Sequence, residues 1–277
     1  MQLNTYLPPN TKSGTGTLVL TTTYGYNAAD QLTSRSETGS ATPFRGYAYN
    51  YSYDANGSLT AETNSVNGGE VTAYSYDARN RLVKVQKQAK ATNLSTASFG
   101  YDGNNTRTSL TYGGQSTAYL QDSGGGLPVV LQETSGSQSP SSLLYSSGST
   151  SPLYQNDPNG NGMWYHKDGL GSVRALTNSS GTVNSTNSYS AFGVSTGASG
   201  KANNDHVFAG EQLDPTGLYF NRARYYSPGI GRFIGRDSDA GSPSQPLSEN
   251  LYTYAWDNPT NLTDLTKLPW ERAGRKK

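Results

Sequence analysis

The chain has 277 residues, a formal net charge of +1 and no cysteine, and only 32% of its residues are apolar. The lack of cysteine excludes disulfides, thiolate metal sites and thiol nucleophiles, and the near-zero charge gives no support for nucleic-acid binding. Low apolar content can indicate disorder, but 21 tyrosines in a nearly neutral chain are not typical of a disordered protein. The composition favours an all-β repeat protein in which tyrosine supplies both ring packing and a hydroxyl.

Four similar segments follow one another between residues 24 and 107, and they read YGYNAADQL, YSYDANGSL, YSYDARNRL and FGYDGNNTR. Aromatic residues two positions apart lie on one face of a strand, and the Asn or Asp that follows them favours a tight turn. Each segment is therefore predicted to be a strand, a turn and a second strand. The second aromatic residues of the four segments are Tyr26, Tyr53, Tyr76 and Tyr101.

The residue that begins the second strand of each unit indicates how the units pack against one another. The first three units resume with Leu32, Leu59 and Leu82, whereas the fourth has Arg107 and is interpreted as the most degenerate. One hairpin is too small to be stable alone, so we predict consecutive antiparallel hairpins that pair into a curved or spiralling sheet. The residues expected to adopt a left-handed backbone at the end of each turn are Asp30, Gly57, Asn80 and Asn105.

Further along the chain, residues 135–161 are rich in Ser, Gly and Pro and are interpreted as an irregular join within the sheet. The stretch from Asp214 to Asp237 then concentrates aromatic and arginine residues between Pro/Gly turns. Such residues stack and pair with one another, so this stretch predicts a packed, hydrogen-bonded seam around a short strand centred on Arg224.

These motifs resemble a known family. The Tyr-x-Tyr-Asp units resemble the YD repeats of Rhs (rearrangement hotspot) proteins, of the C components of Tc toxins and of teneurins. The segments WYHKDGLGSVRALTNSSG, GLYFNRARYYSPGIGRF and NLYTYAWDNPTNLTDLTKL resemble the Rhs repeat-associated core. The resemblance implies a β-shell around a toxic C-terminal polypeptide, capped by the core. It predicts YD-repeat hairpins over residues 1–134, the join over 135–161, the core over 162–268 and a basic tail over 269–277.

The resemblance also implies a candidate site for self-cleavage. In that family the core cuts its own chain with two aspartates, in the manner of an aspartic protease. Asp237 and Asp264 match those aspartates, and Arg224 matches an arginine held near them. Two adjacent carboxylates can divide the roles of base and acid, and the nearby arginine would favour the ionised form of one of them.

The match at this site is incomplete. Ser238 follows Asp237 where the family has proline, and Leu265 and Lys267 replace the proline and the glycine of the second motif. The expected cut would fall at Leu268–Pro269, an imide bond that is a poor substrate for most proteases. These departures argue against active self-cleavage, and the expected role is that of a structural shell segment, as a fragment or a form without cargo.

Several alternatives stay open. The chain could instead be a self-cleaving aspartyl autoprotease, or a surface adhesion or carbohydrate-binding β-repeat module. His166 beside Asp168 could suggest acid–base chemistry, but a structural histidine is the preferred interpretation. A basic patch on one hairpin is interpreted as a solvated face or a lysine-guarded edge; its residues are Arg79, Arg81, Lys84, Lys87 and Lys90.

The expected partners follow from the same resemblance. They are a C-terminal toxin or the remainder of a longer Rhs chain, with a secretion-system spike or a carbohydrate as further candidates. We expect no cofactor, and with only His166 and His206 we expect no multi-histidine metal centre. No apolar run approaches a membrane span, and the first residues do not read as a signal peptide. The expected location is the cytoplasm before export, then outside the cell or on its surface through a secretion system.

Overall fold

The computed structural model describes residues 20–39, 46–66, 69–89, 93–124, 126–200 and 204–264. The chain divides into two compact units, one formed by Met1–Tyr76 and Lys84–Thr96 and the other by Asp77–Val83 and Ala97–Lys277. The described residues are almost entirely strands and turns, and they contain no helix that is long and apolar enough to cross a membrane. The predicted tail over 269–277 lies outside them.

Sixteen strands form one open antiparallel sheet in which each strand is hydrogen-bonded to its neighbours in chain order. The predicted all-β class and the succession of hairpins are therefore confirmed. The strands are β1 (Leu20–Tyr26), β2 (Leu32–Gly39), β3 (Tyr47–Tyr53), β4 (Leu59–Asn64), β5 (Glu70–Tyr76), β6 (Leu82–Ala89), β7 (Asn93–Tyr101), β8 (Arg107–Tyr112), β9 (Gln115–Asp122), β10 (Val129–Ser135), β11 (Ser141–Leu144), β12 (Tyr154–Asn156), β13 (Gly162–Lys167), β14 (Val173–Asn178), β15 (Val183–Tyr189) and β16 (Ser195–Gly200).

A second, four-stranded sheet lies in the second unit and also pairs in chain order. Its strands are β17 (Gln212–Leu213), β18 (Tyr219–Asn221), β19 (Arg224–Ser227) and β20 (Arg232–Phe233). The described helices are short 3-10 turns at Phe208–Gly210, Pro246–Ser248 and Ala255–Asp257.

The repeat turns are closed by the side chain of their Asn or Asp. In the second repeat, Oδ1 of Asp54 accepts the backbone N–H groups of Asn56 at 2.9 Å and of Ser58 at 2.8 Å. One side-chain oxygen thus satisfies two backbone donors, which explains why the units tolerate so little apolar content. Equivalent pairs of bonds form at Asn27, Asp77 and Asp102.

The predicted left-handed positions are confirmed. Each lies three residues after the turn-closing side chain, where only residues that tolerate a positive φ avoid strain. The observed φ angles are 57° at Asp30, 84° at Gly57, 61° at Asn80 and 67° at Asn105.

Neighbouring repeats are joined by a leucine and a tyrosine. Leu32, Leu59 and Leu82 are 0%, 1% and 2% exposed. Within the first unit, the hydroxyl of Tyr76 donates to the carbonyl of Leu59 at 3.0 Å. Within the second, the hydroxyl of Tyr101 donates to the carbonyl of Leu82 at 2.8 Å. The hydroxyl therefore explains why these units carry tyrosine rather than phenylalanine.

The segment predicted to be an irregular join contains ordered strands. Strands β11 and β12 lie within residues 135–161, and they pair in order between β10 and β13. The predicted boundaries at residues 134, 161 and 268 stay predictions.

Part of the predicted aromatic seam, including Tyr219, Tyr226 and Phe233, packs into one cluster of the second unit. Tyr226 stacks on Tyr254 with ring centroids 4.3 Å apart, and its hydroxyl donates to the carbonyl of Phe192 at 2.8 Å. Tyr219 donates in the same way to the carbonyl of Gly193 at 2.9 Å. The ring faces therefore build the core while the hydroxyls bond to the loop after β15. The buried members of this cluster are Val207, Phe208, Ala209, Tyr219, Tyr226, Phe233, Tyr254 and Ala255.

The tyrosine bond between repeats can be tested by removing one hydroxyl. We predict that Tyr76→Phe lowers the free energy of unfolding by about 1 kcal/mol, because the carbonyl of Leu59 loses this side-chain donor. Urea denaturation followed by circular dichroism measures the change. Tyr112→Phe, at an exposed end of β8, is the matched control, and an equal loss in both variants would contradict the assignment.

Candidate functional site

The three residues predicted to form a cleavage site lie together beside the second sheet. Arg224 begins β19, Asp237 follows β20, and Asp264 lies in the last described segment. The nitrogen Nη2 of Arg224 is 2.9 Å from Oδ2 of Asp237 and 3.4 Å from Oδ2 of Asp264. The guanidinium carbon lies 3.7 Å from the centroid of the Phe233 ring. The guanidinium of Arg224 therefore stacks on this ring and pairs with two carboxylates.

This site is only partly shielded from solvent. The side chains of Arg224, Asp237 and Asp264 are 14%, 26% and 18% exposed. Burial lowers the pKa of Arg224, and the charges of Asp237 and Asp264 oppose that effect. The guanidinium nevertheless stays charged at ordinary pH.

Backbone contacts hold the same site in place. Nη1 of Arg224 donates to the carbonyl of Leu251 at 3.2 Å, and the N–H of Asp237 donates to that same carbonyl at 2.9 Å. The arrangement therefore fixes two carboxylates around one cation. The catalytic roles of Arg224, Asp237 and Asp264 stay predictions, and Leu265, Lys267 and Leu268 lie outside the described residues.

A second charged cluster, which the sequence did not predict, lies inside the second unit. Arg107 is 0% exposed, and its Nη1 lies 2.6 Å from Oδ2 of Asp214. Nη1 is also 3.3 Å from the hydroxyl of Tyr225, and Nη2 donates to the side-chain carbonyl of Gln212. Because Arg107 begins β8 while Asp214 follows β17, these bonds join the hairpin sheet to the second sheet.

Aromatic rings surround the Arg107 guanidinium. Its carbon lies 3.9 Å from the ring centroid of Phe220 and 5.0 Å from that of Tyr119. Cation–π attraction is strongest in desolvated sites of this kind. Burial lowers the pKa of Arg107, but the charge and hydrogen bond of Asp214, together with Tyr225 and Tyr119, raise this pKa well above its ordinary value. The position that holds leucine in the other repeats is thus a charged anchor here, a role that the interpretation as a degenerate repeat missed.

Gln212 extends this network to three further titratable residues. Its Nε2 donates to Oε1 of Glu133 at 3.1 Å and to Oδ2 of Asp205 at 2.6 Å. Oδ1 of Asp205 in turn lies 2.9 Å from Nδ1 of His206. Burial and the charge of Asp205 raise the pKa of Glu133 to about 8. The amide of Gln212 is therefore oriented, with its oxygen toward Arg107 and its nitrogen toward two carboxylates.

The remaining candidates have structural roles. Nε2 of His166 lies 2.9 Å from Oγ1 of Thr177, while Asp168 accepts the N–H groups of Leu170 and Ser172, each at 3.0 Å. His166 and Asp168 thus have separate partners and do not form the acid–base pair considered above.

Two arginines of the basic patch make bonds to the protein, and Lys90 lies outside the described residues. Arg79 donates to the carbonyl of Gly103 at 2.8 Å, and Arg81 donates to the carbonyl of Asp102 at 3.0 Å. Both arginines therefore tie their turn to the turn of the following repeat.

Comparisons with known proteins agree with the repeat geometry. The family model described as RHS Repeat matches residues 53–92. The chain is 34% identical over 217 residues to the tRNA3(Ser)-specific nuclease WapA of Bacillus spizizenii, a match that covers 77% of this chain and 9% of that protein. It is 32% identical over 116 residues to the double-stranded DNA deaminase toxin A of Burkholderia cenocepacia, which covers 40% of this chain and 8% of that protein.

The fold is also similar to that of a solved structure. The crystal structure of TcdB2-TccC3-Cdc42 superposes with a TM-score of 0.52 and 18% sequence identity, over 89% of this chain and 15% of that one.

Tyrosine-and-aspartate hairpins that pair in chain order define a YD-repeat β protein. The chain belongs to the Rhs (YD-repeat) family. It spans about a tenth of the length of the curated relatives above, at 9% and 8%.

The Arg107 anchor can be tested by restoring the repeat pattern. We predict that Arg107→Leu lowers the free energy of unfolding by about 3–5 kcal/mol, because it leaves the buried carboxylate of Asp214 unpaired. Urea denaturation of the purified variant measures the loss. Arg174→Leu, which removes an exposed arginine from β14, is the control and should change stability far less. A loss below about 1 kcal/mol for Arg107→Leu would show that the pair is not an anchor.

Proposed function

We propose that this chain is a structural segment of an Rhs toxin shell, which encloses or presents a C-terminal effector. The observation that carries the proposal is the unbroken order of sixteen strands together with a second sheet that Arg107 anchors to them. A wall built in this way needs no catalytic site of its own. It needs rigidity, which closely spaced turn, tyrosine and leucine contacts supply.

The two curated relatives support a role in delivery rather than in one reaction. Their names give different chemistries, a tRNA nuclease and a double-stranded DNA deaminase. A segment that is similar to part of both proteins is expected to serve the role that they share, which we propose is delivery. The partner of this chain is then a C-terminal toxin or the remainder of a longer Rhs chain. Export through a secretion system and a role in competition between bacteria belong to the same proposal.

A segment exchange tests the shell function. Residues 20–264 replace the matching segment of the Bacillus spizizenii relative, and the sensitivity of its nuclease region to an added protease is measured. We predict that the chimera protects the nuclease region as the unmodified relative does, whereas the same chimera with Arg107→Leu protects it less. A folded chimera whose nuclease region is fully digested would contradict a shell role for this segment.

A second candidate function is self-cleavage, which is favoured by the contact of one arginine nitrogen with both Asp237 and Asp264. Leu265 and Lys267 depart from the family motif, so we predict that prolonged incubation leaves the intact mass at 29.6 kDa. Mass spectrometry measures it. Loss of the residues after Leu268, abolished by Asp264→Asn but not by the control Ser238→Ala, would instead establish an aspartyl self-cleaving activity.

A further inference from the structure

We propose that Glu133, Asp205 and His206 form a binding site for a divalent transition-metal cation. The site would link β10, which carries Glu133, to the segment that leads into the second sheet, which carries Asp205 and His206. It is separate from the Arg224 site and does not depend on the proposed shell function.

The ligand atoms are already close together. One ligand-type atom from each of Glu133, Asp205 and His206 lies within 4.8 Å of the other two. Oδ1 of Asp205 and Nδ1 of His206 are 2.9 Å apart. Two atoms at that separation subtend an angle of about 90° at a metal about 2.1 Å from each, the angle between adjacent ligands in octahedral coordination. Small movements of Glu133 would complete a third position.

The imidazole of His206 points independently to a ligand. His206 is 5% exposed, and its Nδ1 makes no well-directed hydrogen bond within the described part of the chain, despite the proximity of Asp205. A buried nitrogen without a hydrogen bond costs free energy. In the neutral imidazole this nitrogen can coordinate a cation through its lone pair, so the bond needs no hydrogen on Nδ1.

Surrounding residues orient the ligands, as outer-shell groups do in metal sites. Gln212 donates to both carboxylates, as described above. Asn204 holds the backbone of His206 by accepting its N–H at 3.0 Å and donating to its carbonyl at 2.7 Å. The hydroxyl of Tyr165 donates to Asn204 at 2.7 Å, which ties the ligand loop to β13.

The donor set selects the kind of cation. An imidazole nitrogen suits Zn²⁺ and Fe²⁺ better than Mg²⁺ or Ca²⁺, which prefer oxygen ligands alone, and the two carboxylates also suit Mn²⁺. A divalent ion would be matched in charge by the ionised carboxylates of Glu133 and Asp205, with His206 coordinating as neutral imidazole. Because the ligands come together only in the folded chain, binding would stabilise the fold.

The test uses the full chain after treatment with a chelator. Isothermal titration with Zn²⁺ or Mn²⁺ is expected to show about one site per chain and a rise of about 5 °C in the unfolding midpoint at saturation. Mg²⁺ and Ca²⁺ are expected to bind at least about tenfold more weakly. Glu133→Gln should weaken Zn²⁺ binding by about tenfold or more, whereas Glu249→Gln, an exposed acid elsewhere, should not change it. Equal affinity in both variants, or no binding of Zn²⁺ and Mn²⁺ by the folded chain, would overturn the proposal.

A second measurement avoids variants altogether. His166 and His206 are the two histidines of the chain, so their ring signals can be followed separately by nuclear magnetic resonance. Substoichiometric Mn²⁺ is expected to broaden the His206 signals before those of His166. Broadening of His166 alone would place the ion elsewhere and contradict the site.

Discussion

The fully buried contact between Arg107 and Asp214 joins the hairpin sheet to the second sheet within the second unit. A guanidinium buried among aromatic rings is tolerated only when a carboxylate and further acceptors satisfy it. Asp214 supplies the charge, Gln212 supplies an acceptor, and Phe220 supplies the ring face. All three lie in or beside the short strands of the second sheet, so one side chain from β8 holds that sheet in register with the hairpins.

Elsewhere the sheet depends on local rules that are repeated in each unit. An Asn or Asp closes the turn, a residue with positive φ ends it, and in the first three units a buried leucine follows. A tyrosine hydroxyl then bonds the next unit to the carbonyl of that leucine, as Tyr76 does to Leu59. Hydrogen bonds from short polar side chains thus replace part of the apolar burial that a larger core would provide. This explains how a chain with 32% apolar residues forms an ordered sheet.

The repeat turns could be predicted because their determinants lie within about ten residues of one another. The tyrosine–leucine bonds between units were not predicted, and they span 17 and 19 residues. Arg107 could not be identified as an anchor, because its partner Asp214 lies more than a hundred residues away in the sequence. In addition, nothing in the local sequence shows that an arginine in the leucine position is buried. The same holds for Glu133 and His206, which become neighbours only through the strand order. Arg224, Asp237 and Asp264 were predicted through family resemblance, and the structure brings them together without assigning their chemistry.

The most direct test of the Arg107 anchor is a double-mutant cycle on Arg107 and Asp214, with each residue replaced by leucine singly and together. Urea denaturation gives the free energy of unfolding of all four proteins. The anchor predicts a coupling energy of about 2–3 kcal/mol, with the double variant more stable than the two single losses would imply. Losses that add to within about 0.5 kcal/mol would show that the two side chains act independently, and would contradict the central role given to this pair.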